Sequence, residues 1–304
     1  MSDHAKAICA AALTGMLVGA AMVSTRVVSA DATAETLAFL RYAIGLMFLV
    51  PSVLRHRPVR FPARDLCAIA GLGILQFAIL MLLMNYALAR LPAATCALVF
   101  STAPLLTMCL AIGSGRERFS WPRLAGTGVA VAGIFVLLAP SATSAREAYD
   151  AWAWAALLGA TFLGAGCSLL YRPYLKRYPT LYVSVYAMFV SVAFLAVVCL
   201  VGGSPLVPHL SAVQWANVGF IGLSSGLGYF CLLWALGRLD ASRVMAFQTL
   251  APVTAVIIEL LGASYPPTWR LVGAFVLVIS GVWFGMREPQ RMKILGNPPA
   301  RDRG

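Results

Sequence analysis

The chain has 304 residues, of which 61% are hydrophobic and 11% charged, against roughly 25% charged in an ordinary soluble domain. A net charge of +12 would suit a nucleic-acid binder only if its Lys and Arg shared a solvated face; here they fall between long apolar runs, which excludes that class. The composition is that of an all-α integral membrane protein.

A bilayer core takes about 20 mostly apolar residues per helix, and ten segments supply them: 6–29, 34–53, 66–88, 92–113, 122–139, 151–171, 180–201, 212–235, 242–262 and 268–286. The first ends near Val28-Ser29-Ala30, which resembles a cleavage site. Its apolar run from Ile8 to Val23 is long for a signal, so the segment is expected to stay. Arg26, near its end, is expected to snorkel toward the headgroups.

The second segment opens with Phe39-Leu-Arg-Tyr42 and carries Arg41 roughly 10 Å below the membrane surface at 1.5 Å rise per residue. An intramembrane charge is a functional signal. Arg41 is expected to pair with Glu259 of the ninth segment in a structural or gating role, to cap a carbonyl, or to meet a substrate carboxylate. In the third, Gln76 places an amide in an apolar run, where it needs partners or a cavity. The fourth contains Phe100, Ser101, Thr102 and Pro104. A proline inside a helix removes a backbone hydrogen bond, and such breaks are tolerated where they face protein or a wet cavity.

The sixth segment contributes Thr161, Leu163, Ser168 and Tyr171, and the seventh Tyr186, which is expected to reach deeper than Tyr171. The eighth carries Ser224, matched to Gln76, and the small, polar run that ends in Tyr229. In the ninth, Gln248, Thr249 and Pro252 repeat the polar proline notch. The seven cysteines lack Cys-x-x-Cys spacing and read as packing residues, and the three histidines lie outside the apolar segments. Neither a metal nor another cofactor is expected. No clustered nucleophile and base is present, so enzymatic activity is not expected either.

Lys and Arg are biased toward alternate loops: eighteen of the 23 fall on the side of the N-terminus and three on the other. By the positive-inside rule both termini are expected in the cytoplasm, and the location in a bacterial-type inner membrane. One stretch is written twice: Tyr86-Ala-Leu-Ala-Arg-Leu-Pro92 to Ala103-Pro104 reappears 148 residues later as Trp234-Ala-Leu-Gly-Arg-Leu-Asp240 to Ala251-Pro252, with seven of nineteen positions identical. Five segments per half make the second half enter the membrane inverted. The expected organisation is a first repeat over 1–143, an inverted second repeat over 144–290 and a basic tail over 291–304. Such duplication marks transporters that alternate their access about a central cavity.

The order of these motifs, with Gly115-Arg-Glu-Arg118 followed by Arg123-Leu-Ala-Gly126, resembles the EamA-type branch of the drug/metabolite transporter superfamily over nearly the whole chain. The resemblance implies export of small metabolites, with amino acids, aromatic ones included, the first substrate class to consider. Nucleosides, sugars and organic cations remain alternatives, and a membrane sensor is a further one. Relatives often carry a Trp where this chain has Val18-Gly19 and Leu163-Gly164, which leads to the expectation of a cavity that is wider or less suited to stacking, and so less suited to an aromatic substrate. The expected partners are a small-molecule substrate and the lipid bilayer, with no nucleic acid; the chain could be a monomer or a homodimer.

Overall fold

In the computed structural model of the protein, the described residues are 3–54, 59, 61–114, 121, 125–126, 128–129, 132–133, 136, 150–239, 244, 247, 250–262 and 269–286. They form helices and turns, with no strand among them. The helices are α1 (Asp3–Val28), α2 (Ala34–Leu54), α3 (Ala63–Leu88), α4 (Ala93–Phe100), α5 (Ala103–Gly113), α6 (Ala151–Arg177), α7 (Thr180–Gly202), α8 (Ala212–Leu236), α9 (Leu250–Leu261) and α10 (Trp269–Met286). Taking α4 and α5 together, seven of these are long and apolar enough to cross a membrane, and α9 and α10 contain shorter apolar stretches. The expected span 122–139 lies mostly outside the described residues.

An apolar chain in lipid must satisfy its backbone within each helix, and the ends are closed by local chemistry. Asp150 accepts from Ala153 N at the start of α6. Ser211 and Gln214 form a reciprocal capping box at the start of α8. Gly203, at φ +70°, ends α7 in the left-handed conformation while Ser204 N donates to Cys199 O at 2.9 Å.

Small residues let the helices approach closely. A Cβ at Gly15 or Gly19 of α1 would lie 2.0 Å from the carbonyl oxygen of Phe247 and 2.2 Å from that of Ala251, respectively. Gly45 of α2 meets Gly222 and Gly226 of α8 in the same way.

The Arg-aromatic turns that open the two copies of the repeated stretch have the same local structure. Arg90 lies 3.7 Å over the Tyr86 ring and Arg238 lies 3.9 Å over the Trp234 ring. Each also donates to the carbonyl of that aromatic residue at 3.2 Å. The copies sit at opposite ends of the bundle. Asp65, at the start of α3, accepts from Tyr178 Oη at 2.6 Å, and Tyr178 shares a recess of about 570 Å³ with Trp234 and Arg238. Arg90 lies beyond the other end of α3, a helix of 26 residues and hence about 39 Å long.

Candidate functional site

A cavity of about 90 Å³ lies between α1, α2, α3 and Phe100 on one side and α6 and α8 on the other. Its lining is mixed. Leu17, Val18, Met22, Met84, Phe100 and Gly164 supply apolar surface; Arg41, Gln76, Ser168, Ser224, Ser225 and Tyr229 are among those that supply polar groups.

Gln76 reaches this position from Ile74–Ile79, a π-helical stretch within α3. The wider turn of a π stretch shifts the register of the side chains that follow it, a feature frequent at functional sites. Just before it, Gly73 packs on the Ala187 backbone of α7. Below Gln76, Phe77 is 1% exposed, with its ring 4.7 Å from Tyr42 and 4.2 Å from Tyr229. Tyr171 lies edge-on to Tyr229 at 6.4 Å, so Tyr171 belongs to this buried aromatic group and not to an interfacial belt.

Arg41 is 6% exposed. One Nη of its guanidinium donates to Thr25 Oγ1 and the other contacts Met81 Sδ at 2.8 Å. Its Nε has no hydrogen-bond partner among the described residues. The expected pairing with Glu259 is corrected by the geometry. Glu259, also 6% exposed, accepts from Ala93 N at 3.1 Å and so caps α4; the cation acting on it is Arg26. Arg26 turns into the bundle instead of outward, donating through Nη1 to the carbonyls of Leu88, at 3.2 Å, and Leu91. The two charges therefore complement the turn between α3 and α4: a cation meets the carbonyl end of one helix and an anion the N–H end of the next.

The proline break is a fresh helix start. Ser101 and Thr102 form a turn after α4, and Pro104 is the second residue of α5, where a missing N–H costs nothing. The hydroxyls of Ser101 and Thr102 donate to Leu98 O at 2.6 Å and Val99 O at 2.7 Å, so they serve the break itself, and neither borders the cavity. Thr161 likewise donates to Leu157 O. Leu163 packs in the cluster around Phe100, and Tyr186 stacks on Phe61 at 6.2 Å. Pro252 is buried near the start of α9, while Gln248 and Thr249 lie outside the described residues.

Gly19 faces the Ala251 backbone, and a Cβ at Gly164 would lie 3.3 Å from the Phe100 ring, so neighbouring atoms fill the space at both positions. Ligand cavities run to roughly 300–1,000 Å³, and the 90 Å³ here lies below that range.

Two ends of the bundle are tied. At one, Thr36 Oγ1 donates to Pro205 O at 2.7 Å, Gln214 donates to Asp31, and Arg90 Nε meets Asp150 Oδ2 at 3.0 Å. At the other, Asp65 accepts from Tyr178 and lies 3.7 Å from Arg177, while Phe61 packs 4.7 Å from the Tyr178 ring. The carboxylate accepting its hydroxyl raises the Tyr178 pKa above the usual tyrosine value of 10.

Several lining residues carried no sequence signal. Leu17, Ala21, Met22 and Met84 look like core, and Thr14 spends its hydroxyl on Ala10 O and Gly228 O. The π stretch around Gln76 is equally silent in sequence.

Comparison with known proteins adds the following. The model of the EamA-like transporter family matches residues 5–139 and again 151–286. A protein of Streptantibioticus cattleyicolor named as a probable terminal-alkyne amino-acid exporter is 29% identical over 247 residues, covering 80% of this chain and 81% of its own. An uncharacterized transporter of Archaeoglobus fulgidus is 22% identical over 262 residues, 83% of this chain and 88% of its own. A protein of known crystal structure superposes with a TM-score of 0.70 at 21% identity, covering 91% of this chain and 95% of that one, which supports the fold.

Proposed function

The chain belongs to the EamA-like transporter family, and from that membership we propose that it is a secondary transporter exporting amino acids, aromatic ones among them, by alternating access. The observation that carries this reading is the central cavity, walled by helices from both matched regions and lined by both apolar and polar side chains. The relative named as an amino-acid exporter favours the same class of substrate.

The proposed architecture has ten membrane spans in two inverted repeats, 1–143 and 144–290, followed by a tail over 291–304, with both termini cytoplasmic. The opposite placement of the two Arg-aromatic turns supports the inversion. It also gives alternating access a physical basis, since each half can take the other's conformation. Opening on either side requires one set of end contacts to part, those around Asp65 and Tyr178 or those around Thr36 and Asp150. Organic cations suit the cavity poorly, because Arg41 borders it and no Asp or Glu does among the described residues.

The test is flux. Purified protein in liposomes loaded with labelled amino acids should show saturable exchange, with and without a pH gradient. Movement of nucleosides or sugars and of no amino acid would keep the transporter and remove this substrate.

A further inference from the structure

Resting on the reading of the central cavity as the substrate site, we propose that Arg41 selects the substrate there: the cavity recognises the carboxylate of an apolar monocarboxylic acid and does not read its ammonium group.

Arg41 is a fixed cation, since a guanidinium is not deprotonated in proteins. It is 6% exposed, and the groups around it, Thr25 Oγ1, Met81 Sδ and the Tyr42 phenol, are neutral. Burying such a charge without an anion is strongly unfavourable. The nearest buried acid in kind, Glu259, is already engaged at the Ala93 N–H, under the influence of Arg26. The counter-charge that Arg41 lacks among the described residues is what a substrate carboxylate brings.

The donors for that carboxylate are in place. Arg41 Nε is buried without a partner among the described residues, and the buried Tyr229 hydroxyl meets only the neutral Tyr171 hydroxyl; Arg41 and Tyr229 both border the cavity. Nε–H lies on the same edge of the guanidinium as Nη2, whose contact is the Thr25 hydroxyl; a carboxylate bridging Nε and Nη2 has the fork geometry of a bidentate Arg–carboxylate pair, and the thioether on Nη1 is only a weak acceptor. Around the rest of the cavity stand Met22, Met84, Phe100 and Leu17. Methionines are flexible enough to repack around apolar chains of differing shape.

An ammonium group finds no equivalent. No carboxylate borders the cavity among the described residues, so an α-amino group gains only neutral contacts. Replacing or acylating it removes little, whereas converting the carboxylate to an amide removes the charge that Arg41 needs.

The experiment measures binding and flux separately on the full chain. Thermal stabilisation of the purified protein is titrated with leucine, its 2-keto acid, N-acetyl-leucine and leucinamide, and the same compounds compete for labelled leucine exchange in liposomes. The three carboxylates should act at similar concentrations, and leucinamide about 10–100-fold more weakly, the range for loss of a charged hydrogen bond. Arg41→Gln should remove the preference for carboxylate over amide, and Arg41→Lys should restore part of it. If Arg41→Gln does not fold, the ligand series on the unaltered protein decides. Leucinamide equal to leucine, or absence of stabilisation by every carboxylate, overturns the inference; equal leucinamide with leucine flux intact leaves the exporter reading standing. Carboxylate-selective stabilisation without flux leaves recognition by Arg41 standing and removes the exporter.

Discussion

The contact between α1 and α9 gives a direct measurement of how tightly the bundle is set. A Cβ added at Gly19 would lie 2.2 Å from the carbonyl oxygen of Ala251 and 2.9 Å from its Cα and carbonyl carbon. Close carbon-to-oxygen contacts between helices run to about 3.3–3.6 Å, so Gly19→Ala must part α1 from the 251 backbone by about 1 Å. Gly166, in α6, is the control, because a Cβ there meets nothing within 4 Å. Both substitutions gain helix propensity, up to about 1 kcal/mol, so the difference between them isolates the steric term, about 1–3 kcal/mol for an overpacked contact. Thermal unfolding of the two variants in one detergent should place Gly166→Ala at or above the unaltered protein and Gly19→Ala below it. Transport should fall with Gly19→Ala as well, since the neighbouring residues Leu17, Val18, Ala21 and Met22 border the cavity. Equal melting of the two variants would refute the close α1–α9 packing.

Two further substitutions test the charges outside the cavity. Glu259→Gln keeps an acceptor for Ala93 N and loses the charge, so it should cost about 0.3–1 kcal/mol, whereas Glu259→Ala strands the N–H and should cost about 1–3 kcal/mol. Thermal unfolding of both variants checks the order, and flux that becomes pH-independent only in Glu259→Gln would make this residue a proton carrier. For the Asp65 contact, the raised Tyr178 pKa fixes the sign. Below the ordinary tyrosine value of 10 the hydroxyl is protonated in the folded and unfolded chain alike and the contact contributes fully; its contribution is lost as pH rises through the higher folded value. Asp65→Asn should move the Tyr178 titration downward, read at 295 nm as the difference from the matching Tyr178→Phe protein. An unmoved titration would show that Asp65 does not hold the hydroxyl.

Much of the helix framework was legible because lipid leaves the backbone few alternatives: the expected segments 34–53, 180–201 and 212–235 correspond to α2, α7 and α8 within a few residues. Arg41, Gln76, Phe100, Ser224 and Tyr229 were singled out by polarity or by their place in the repeat, and all five border the cavity. A hydroxyl within a helix has two possible uses, and the sequence does not choose between them. Ser101, Thr102 and Thr161 look available in sequence, yet each bonds a carbonyl three or four residues earlier, the local competition usual for Ser and Thr in helices. For Arg26 and Arg41, depth alone does not say which arginine turns toward Glu259. That choice depends on Leu88 and Leu91 presenting carbonyls beside α1, a tertiary fact without a sequence pattern.

The repeated stretch shows why identity and function part company along this chain. Its conserved-looking core, an aromatic residue followed four positions later by Arg, builds one self-contained turn in which the guanidinium covers the ring and bonds the carbonyl beneath it. A self-contained turn must meet the same local geometry in both copies, so its residues are held alike whatever surrounds them. A cavity shared by two halves has no such constraint, because one copy of each contact suffices. Phe100 borders it and covers Gly164, while the second copy has Gln248 in the same register. Under the proposed transport reading, selection between substrates is expected at positions where the copies differ. Exchanging Phe100 and Gln248 between the two halves would leave both turns intact while changing the apolar part of the cavity lining.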